Sequence, residues 1–346
     1  MNNEIEIFDV MSLINTGAKA PILKDKYVEL MPVGGLRFLL RRLASSVMCL
    51  KDVILCFDSR SFRKDISKDY KSGRKKRFDP NVVAQANFLM EQLSRVGIPY
   101  VKVDGMEADD LIYTAVETYY NTTHKITIVS TDYDLVHNID SNGKVTLESC
   151  NSVAISVNMS NANSINKGVC TMFNTQTPYK VFCGDSSDDI KAFVPSSGKP
   201  AKTYYENYCD MLLNANIDLN WKVTRNEDIL KLYVNEYEKD FTDEDRATLL
   251  KRIEIFYPKL VNVEIPLITK TTLNKSNIID LLRVIKDEDS LRNVGSYLVP
   301  ASDESIRELK RWGSRVSSGA YSVDNGMTVN AFDSWDDSDV FDVKDF

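Results

Sequence analysis

Histidine is scarce in this chain, with only His124 and His137 among 346 residues. This scarcity disfavours a Ser-His-Asp or Cys-His catalytic device and a histidine-rich metal site. The six cysteines are scattered without a CxxC pair, which indicates reduced thiols and disfavours a zinc site. If the chain is an enzyme, its chemistry has to depend on carboxylates, lysines or a metal ion.

Long apolar runs are also missing. No stretch approaches the roughly 20 apolar residues that a membrane span needs, and the start, MNNEIEIFDV, has neither the basic nor the apolar region of a signal peptide. With 43% hydrophobic and 27% charged residues, the composition is typical of a soluble globular protein. We therefore expect a monomer in the cytoplasm, the host cytoplasm if the chain is viral, without a membrane partner.

The net charge of -7 hides a strong local asymmetry. Residues 60–77 contain nine Lys or Arg against two Asp, whereas residues 322–346 contain seven Asp against one Lys. Because a ligand responds to the local field, the acidic total does not exclude a nucleic-acid partner.

Strands and helices alternate in the first half of the chain, as in a βαβ arrangement. The predicted strands are Glu4–Phe8, Asp52–Phe57, Pro99–Val103 and Ile126–Ser130, and the predicted helices are Gly35–Leu50, Val82–Val96 and Glu107–Tyr120. This alternation predicts an α/β fold with a mostly parallel twisted sheet flanked by helices. Ligands of such sheets lie beyond the carboxyl ends of the strands, where Asp9, Asp58 and Asp132 fall.

The second half is mostly helical after a β-prone stretch at residues 144–157. The predicted helices are Cys170–Phe182, Ala201–Ala215, Glu227–Glu238, Asp243–Phe256, Lys275–Lys286 and Ser302–Trp312. We expect a catalytic domain at residues 1–190, with a basic arch or clamp at residues 59–95. A helical DNA-binding domain at residues 191–316 and a disordered acidic tail at residues 317–346 would follow.

Three acidic motifs accompany the strand-end residues Asp9 and Asp58. They are GMEADD with Glu107, Asp109 and Asp110, STDYD with Asp132 and Asp134, and GDSSDD with Asp185 and Asp188. Each alone has an ordinary explanation: an acidic first helical turn, an acidic turn after a strand, and an Asx-rich or calcium-like loop. Together, so many carboxylates at one sheet edge would repel each other unless hard cations neutralise them. Oxygen ligands select Mg²⁺ or Mn²⁺, and two ions about 4 Å apart suit phosphodiester hydrolysis.

The basic segment SRSFRKDISKDYKSGRKKR follows directly on Asp58. A charge run is often no more than a solvated surface. This segment, however, begins at a strand end that carries a candidate metal ligand. That position predicts that its Lys and Arg residues hold a phosphate backbone over the acidic site. Phe62 and Tyr70 would be available for base stacking.

In this order, the motifs resemble the 5′ nuclease superfamily, which includes flap endonucleases, the 5′-exonuclease domains of bacterial DNA polymerase I and phage 5′ exonucleases. Among these, the chain is most similar to the RNase H enzymes of T-even phages. The resemblance extends over roughly residues 5–205 and, weakly, over FYPKLVNVEIPL at 256–267. It implies a PIN-like core and a Mg²⁺-dependent 5′-3′ exonuclease or flap endonuclease. Such an enzyme would remove 5′ flaps and RNA primers from duplex DNA during replication and leave a 5′-phosphate.

By this resemblance, a first Mg²⁺ would be served by Asp9, Asp58, Glu107, Asp109 and Asp110, and a second by Asp132, Asp134, Asp185 and Asp188. Mn²⁺ would substitute for Mg²⁺. Lys71 would contact the scissile phosphate, Arg74 would assist it, and Tyr70 would belong to the arch. The further DNA-binding candidates are Arg60, Arg63, Lys64, Lys68, Lys75, Lys76, Arg77, Ser197, Gly198, Lys199 and Lys202.

The chain departs from the family after GDSSD. Asp189 stands where the family has Asn, and the glycine-rich turn that grips duplex phosphates is reduced to Gly198 in VPSSGKPAK. Small residues still permit a phosphate to approach the backbone, but we do not expect the family's potassium site.

The acidic tail alternates aromatic residues with Asp. It is explained either as a solubilising end or as a docking peptide for a sliding clamp or single-strand-binding protein, with Trp335, Phe341 and Phe346 as anchors. Two other functions remain open: a PIN-type RNA endoribonuclease, and a non-catalytic protein that binds branched DNA. Digestion of a 5′-flap DNA and an RNA–DNA hybrid with Mg²⁺ separates the three.

Overall fold

The computed structural model describes residues 4–20, 23, 26–28, 30–49, 51–72, 79–140, 142–149, 155–157, 176–215, 226–269, 272, 275–287, 307, 310 and 311. The acidic tail, most of the predicted helix Ser302–Trp312 and the first residues of the predicted helix Cys170–Phe182 lie outside these residues. None of the helices within the described ranges is both long enough and apolar enough to cross a membrane.

A five-stranded sheet forms the centre of the fold. The strands are β1 (Glu4–Asp9), β2 (Tyr27–Val28), β3 (Met31–Pro32), β4 (Asp52–Cys56), β5 (Lys125–Ser130), β6 (Val145–Ser149) and β7 (Ile155–Val157). The order across the sheet is β4-β1-β5-β6-β7, while β2 and β3 form a small antiparallel pair. Strands β4, β1, β5 and β6 are parallel to one another, and β7 is antiparallel to β6. The predicted mostly parallel sheet is confirmed.

Helices cover both faces of this sheet. The helices among the described residues are α1 (Val10–Lys19), α2 (Gly34–Met48), α3 (Arg63–Ile66), α4 (Pro80–Arg95), α5 (Ala108–Tyr119), α6 (Gln176–Cys183), α7 (Ala201–Asn214), α8 (Glu227–Leu232), α9 (Asp243–Phe256) and α10 (Lys275–Val284). A 3-10 helix spans Tyr133–Asn138 and a π-helix spans Tyr233–Tyr237. Side chains alternate along β1, so that Phe8 packs with α1, α2 and α4 while Ile7 packs with α5.

Local sequence explains where several helices begin. The Asp79 side chain accepts a hydrogen bond from the Asn81 amide, and Pro80 occupies the first position of α4. Thr242 and Asp245 form a reciprocal capping box at the start of α9. The structure also contains α1, a helix that was not predicted. It begins directly after β1, because Asp9 is both the last residue of that strand and the N-cap of the helix.

The predicted strand Pro99–Val103 is wrong in extent. Only Val101 pairs with a strand, through a single parallel bridge to Cys56, the last residue of β4. Its amide donates to the Leu55 carbonyl and its own carbonyl accepts from the Phe57 amide. The apolar pattern of this stretch therefore reflects burial of Ile98 and Val101 rather than a full strand.

The second half of the chain builds its own aromatic core on α6 to α9. Tyr204 and Tyr208 of α7 are fully buried there with Phe182, and the rings of Tyr204 and Phe241 lie 4.6 Å apart between centroids. Ile268 and the apolar residues of 278–285, which the sequence places in this second domain, pack against the first core instead. Ile268 exchanges two backbone hydrogen bonds with Val53 at the free edge of β4.

Candidate active site

Three parallel strands deliver the first carboxylates to one edge of the sheet. Asp9 is the last residue of β1, and Asp58 and Asp132 lie two residues beyond the ends of β4 and β5, the two neighbours of β1. Asp9 accepts hydrogen bonds from the Ser12 amide at 3.2 Å and from the Ser130 hydroxyl at 2.6 Å. The strand-end prediction thus places these three residues together.

Asp58 is held at the start of α5. Its Oδ1 accepts a hydrogen bond from the Ala108 amide at 2.6 Å, an arrangement that the positive end of a helix favours. Its Oδ2 is buried without a hydrogen-bond partner among the described residues. A buried carboxylate oxygen without a donor is costly, and a cation would remove that cost.

Proximity makes the charged forms of these carboxylates unfavourable. Burial, followed by repulsion from Asp9, raises the pKa of Asp58 well above its ordinary value. Burial, followed by repulsion from Asp132, also raises the pKa of Asp109 well above its ordinary value. Burial raises the pKa of Asp9 to about 6, and burial together with Asp134 raises that of Asp132 to about 7. The edge of the sheet therefore favours positive charge.

Glu107 is the exception in this cluster because its charge is already balanced. Lys71 donates to its Oε1 at 2.5 Å, and Tyr70 and Arg63 donate to its Oε2 at 3.0 and 2.9 Å. Burial alone would raise the pKa of Glu107, but Lys71 and then Arg63 lower it to about 2. Lys71 is itself buried, and its amide donates to the Asp188 carbonyl.

A second group of carboxylates surrounds Lys180 of α6. Its ammonium lies 2.5 Å from Asp134 Oδ2 and 2.5 Å from Asp185 Oδ2. Gln176 donates to the other oxygen of Asp134 at 3.0 Å. Neither Lys180 nor Gln176 was among the predicted site residues. Helical spacing places them on one face of α6, but no pattern in the sequence predicts that this face contacts Asp134.

The loop that carries Asp185 and Asp188 has a constrained backbone. Gly184 has φ of +78°, and a Cβ there would lie 2.3 Å from the Ile190 carbonyl oxygen, so glycine is required. Asp189, the departure from the family pattern, has φ of 57°, a region that Asp tolerates better than most residues. Asp185 and Ile190 exchange backbone hydrogen bonds that close the loop.

Two predicted site residues have a different role. Asp110 is fully buried and receives both Nη1 and Nη2 of Arg63, at 2.8 and 2.7 Å. Arg63, also buried, extends to the Ile255 and Tyr257 carbonyls, and the Lys259 amide donates to Asp110. The prediction of Asp110 as a metal ligand and of Arg63 as a DNA contact is therefore corrected: the pair ties α5 to the segment after α9.

In the described part of the basic segment, residues 59–72, two of the predicted contact residues are buried instead of exposed: Arg63 and Tyr70. Tyr70 is 4% exposed and its hydroxyl bonds Glu107, so its prediction as an arch or base-stacking residue is also corrected. Arg60 is exposed and pairs with Asp65, and Lys64 and Lys68 lie at or near the surface. Arg74, Lys75, Lys76 and Arg77 lie outside the described residues. Within 59–95, α3 is a single turn and α4 packs into the first core rather than forming an arch.

The predicted duplex-binding loop lies on the second core. Gly198 has φ of +76° and open space around it, which leaves room for a phosphate. The loop is tied to neighbouring groups: Ser197 bonds the Tyr204 hydroxyl at 2.6 Å, Lys199 pairs with Asp240, and Lys202 lies 3.6 Å from Glu206. The Ser196 amide already donates to Asp245 at 3.0 Å, so it is not open to a phosphate.

A cleft joins the two carboxylate groups. Apolar residues line it together with charged and polar ones: Ile255, Phe256 and Pro258, and Glu107, Asp109, Asp134, His137, Lys180 and Asp188. Within the described residues, no group of three or more Asp, Glu, His or Cys side chains is already arranged to hold a metal ion. Lys71 bonds Glu107 and Lys180 bonds Asp134, two carboxylates that line this cleft. Together, the parallel sheet and this edge define a carboxylate-lined α/β protein.

Comparisons with known proteins agree with that class. The family described as 5′-3′ exonuclease, N-terminal resolvase-like domain matches residues 17–167, which contain Asp58, Glu107, Asp109, Asp132 and Asp134. DNA polymerase I of Caldicellulosiruptor bescii is 26% identical over 246 residues, 70% of this chain and 28% of that protein. The 5′-3′ exonuclease of Bacillus subtilis is 28% identical over 142 residues, 39% of this chain and 47% of that protein.

The chain thus spans less than half the length of these two relatives. Among solved structures, the T5 D15 protein co-crystallised with metal ions covers 91% of this chain, with 15% identity and a TM-score of 0.47, and 99% of that chain is covered. Residues 17–167 of this chain thus match the 5′-3′ exonuclease N-terminal domain, and the chain is similar to these DNA polymerase I and 5′-3′ exonuclease relatives.

Proposed function

We propose that this chain is a divalent-metal-dependent 5′ nuclease that hydrolyses phosphodiesters of 5′ flaps and RNA primers on duplex DNA. The observation that carries the proposal is the buried Asp58 oxygen without a donor, in a set of carboxylates whose charged forms destabilise one another. Such a set fits a hard cation, because its ligands are all oxygen atoms.

The residues divide into two groups around the cleft. Asp9, Asp58 and Asp109, with Glu107 beside them, would hold a first Mg²⁺. Asp132, Asp134, Asp185 and Asp188 would hold a second, and Mn²⁺ would replace either ion. When bound, the ions would activate the attacking water and stabilise the leaving oxygen. Asp110 is assigned to neither ion, because it is fully buried against Arg63 and does not line the cleft.

The chain's own residues would orient the phosphodiester. Lys71 lies beside Glu107, where its ammonium would stabilise the charge that develops on the scissile phosphate. Lys68, Lys64 and Arg60 lie along the same segment and would hold phosphates further along the backbone. Gly198 and Lys202 would contact the duplex on the second core.

The test is digestion of a labelled 5′-flap DNA, a blunt duplex, an RNA–DNA hybrid and a single-stranded RNA by the full chain, with Mg²⁺, with Mn²⁺ and with EDTA. The expected result is cleavage near the flap junction that leaves a 5′-phosphate and stops in EDTA. Cleavage that persists in EDTA contradicts the metal-dependent reaction. Cleavage restricted to single-stranded RNA indicates an endoribonuclease instead, and binding to the flap without cleavage in any metal indicates a DNA-structure-binding protein.

A further inference from the structure

Lys180 lies between two carboxylates that the proposed function assigns to the second metal. Its ammonium is 2.5 Å from an oxygen of Asp134 and 2.5 Å from an oxygen of Asp185. The Lys180 side chain is 15% exposed and the Asp185 side chain 10% exposed, so water screens this contact weakly. The ammonium thus occupies a position between two anionic ligands, where a bridging cation would also be bound.

The remaining oxygens of these two residues are also taken. Gln176 donates to Asp134 Oδ1, and the amide and hydroxyl of Ser187 donate to Asp185 Oδ1 at 2.8 and 2.6 Å. All four carboxylate oxygens therefore accept hydrogen bonds from the protein. Asp58 differs, because its Oδ2 is buried without a partner in the described part of the chain. In the first group, Lys71 and Arg63 pair with Glu107, and within the described residues no Lys or Arg pairs with Asp9, Asp58 or Asp109. In the second group, Lys180 pairs with both Asp134 and Asp185.

We propose that Lys180 is a built-in counter-ion that competes with the second divalent ion for Asp134 and Asp185, so that the two metal positions bind with unequal affinity. This inference rests on the proposed function. An ion that enters the second position has to break two charge-assisted hydrogen bonds of Lys180, whereas an ion that enters the first position relieves repulsion.

The competition couples the second ion to the substrate. Lys180 lines the same cleft as Glu107 and Asp109, so its displaced ammonium remains inside the cleft. A phosphate bound there would accept the ammonium and offset the cost of leaving Asp134 and Asp185. In the absence of nucleic acid, that cost remains and the second position stays weak.

The experiment is a titration of the full chain with Mn²⁺ in the absence of DNA. Binding is measured in two ways, by calorimetry and by the electron paramagnetic resonance signal of free Mn²⁺. The wild-type chain is expected to bind one ion tightly and a second weakly. Lys180→Met removes the competing charge and is expected to tighten the second step about tenfold or more, with little effect on the first. Lys251→Met, at an exposed position of α9, removes the same charge elsewhere and should leave both steps unchanged.

Lys180→Gln is a second variant that keeps a polar side chain, and both variants are checked for folding by circular dichroism. Two folded variants with the wild-type second step overturn the inference, as does a wild-type chain that binds two ions equally tightly. Failure of the proposed function has a different signature, since it is seen as absence of Mg²⁺-dependent flap cleavage by the wild-type chain. A wild-type chain that binds no Mn²⁺ overturns both.

Discussion

At the scale of single residues, Lys71 is the strongest candidate for a group that acts on the reacting phosphate. It is buried against Glu107, with its ammonium over the Tyr70 ring at 4.8 Å from the centroid. We expect Lys71→Ala to slow single-turnover cleavage of flap DNA about a hundredfold and to weaken DNA binding much less, because the ammonium would stabilise charge formed in the transition state. Single-turnover rates and fluorescence anisotropy measure the two effects separately.

Lys68→Ala is the matched control, because Lys68 is exposed three residues earlier on the same segment. It should weaken binding and lower the slope of log affinity against log salt by roughly one unit, with the bound rate unchanged. If Lys71→Ala instead raised only the dissociation constant, Lys71 would be a binding residue and not a catalytic one.

Asp132 should affect activity and stability in opposite directions. Asp132→Asn removes a carboxylate from the proposed second group, and we expect a loss of about a hundredfold or more in rate. Burial and Asp134 raise the pKa of Asp132 to about 7, so removing its charge should stabilise the metal-free fold at pH 8, by on the order of 1 kcal/mol after allowance for solvent screening.

Thermal unfolding in EDTA and cleavage assays with Mg²⁺ check the two parts. Asp69→Asn, at an exposed position, should change neither quantity. Loss of both activity and stability in Asp132→Asn would show that the side chain is needed for folding rather than for metal.

At the scale of elements, the pair of Arg63 and Asp110 connects α5 to the segment after α9. We expect Arg63→Met or Asp110→Asn to lower the free energy of unfolding by about 3–5 kcal/mol, because each leaves a buried partner uncompensated. Denaturant unfolding measures this loss. Arg60→Met, which breaks the exposed pair with Asp65, should cost less than about 1 kcal/mol.

The double variant Arg63→Met/Asp110→Leu sharpens the interpretation. Replacing both charges with apolar groups should recover part of the stability lost in the single variants. A single variant as stable as wild type would mean that the pair does not join these elements, and Asp110 would again be a candidate ligand.

The sequence predicted the elements where one physical signal dominates. Helix periodicity placed Asp243–Phe256 at the observed bounds, and apolar runs placed β1, β4 and β5 within a residue or two. Residues 99–103 were misread because a buried apolar stretch and a strand have the same pattern when pairing is limited to one bridge. The predicted helix Glu227–Glu238 contains the π-helix Tyr233–Tyr237, a geometry that composition does not encode.

The site residues also divide into those that one sequence signal predicts and those whose contacts depend on the tertiary fold. Strand-end carboxylates were predictable, because parallel strands bring their carboxyl ends to one edge. The role of Arg63 was not, since its partners lie 47 residues away at Asp110 and 192 residues away at the Ile255 carbonyl. Lys180 was missed for the same reason: its distance of 46 residues from Asp134 is bridged only by the tertiary fold.

At the scale of the whole molecule, the acidic edge should make stability depend on both pH and metal. Asp9 and Asp132 have pKa values of about 6 and about 7, above the ordinary 3.8. Between about pH 4 and pH 7 the folded chain therefore binds more protons than the unfolded chain, and without metal its stability falls as the pH rises through this window. Mg²⁺ should raise the melting temperature by a few degrees at pH 8 and by almost nothing at pH 5.

Scanning calorimetry at the two pH values, with NaCl at matched ionic strength as the control, measures this effect. An equal rise at both pH values would indicate that Mg²⁺ acts on surface charge rather than at the carboxylate edge.

The acidic tail can be tested on the whole chain, although it lies outside the described residues. Deletion of residues 323–346 should leave thermal stability and cleavage of naked flap DNA nearly unchanged, because a segment with seven Asp and one Lys is costly to bury in a core. Stimulation by a sliding clamp or single-strand-binding protein should be lost. Equal stimulation of both forms would place the docking site elsewhere on the molecule.

The backbone of Lys71 has a consequence for chemical complementation. Its φ of 55° is a conformation that costs most residues roughly 1–2 kcal/mol and costs glycine nothing. Lys71→Gly therefore relaxes the chain while it opens a lysine-shaped space beside Glu107. A small alkylammonium ion added to the buffer could enter that space, with Glu107 as its counter-ion. Cleavage by Lys71→Gly should then rise with amine concentration and saturate, and the order of effective amines would report the shape of the vacated channel.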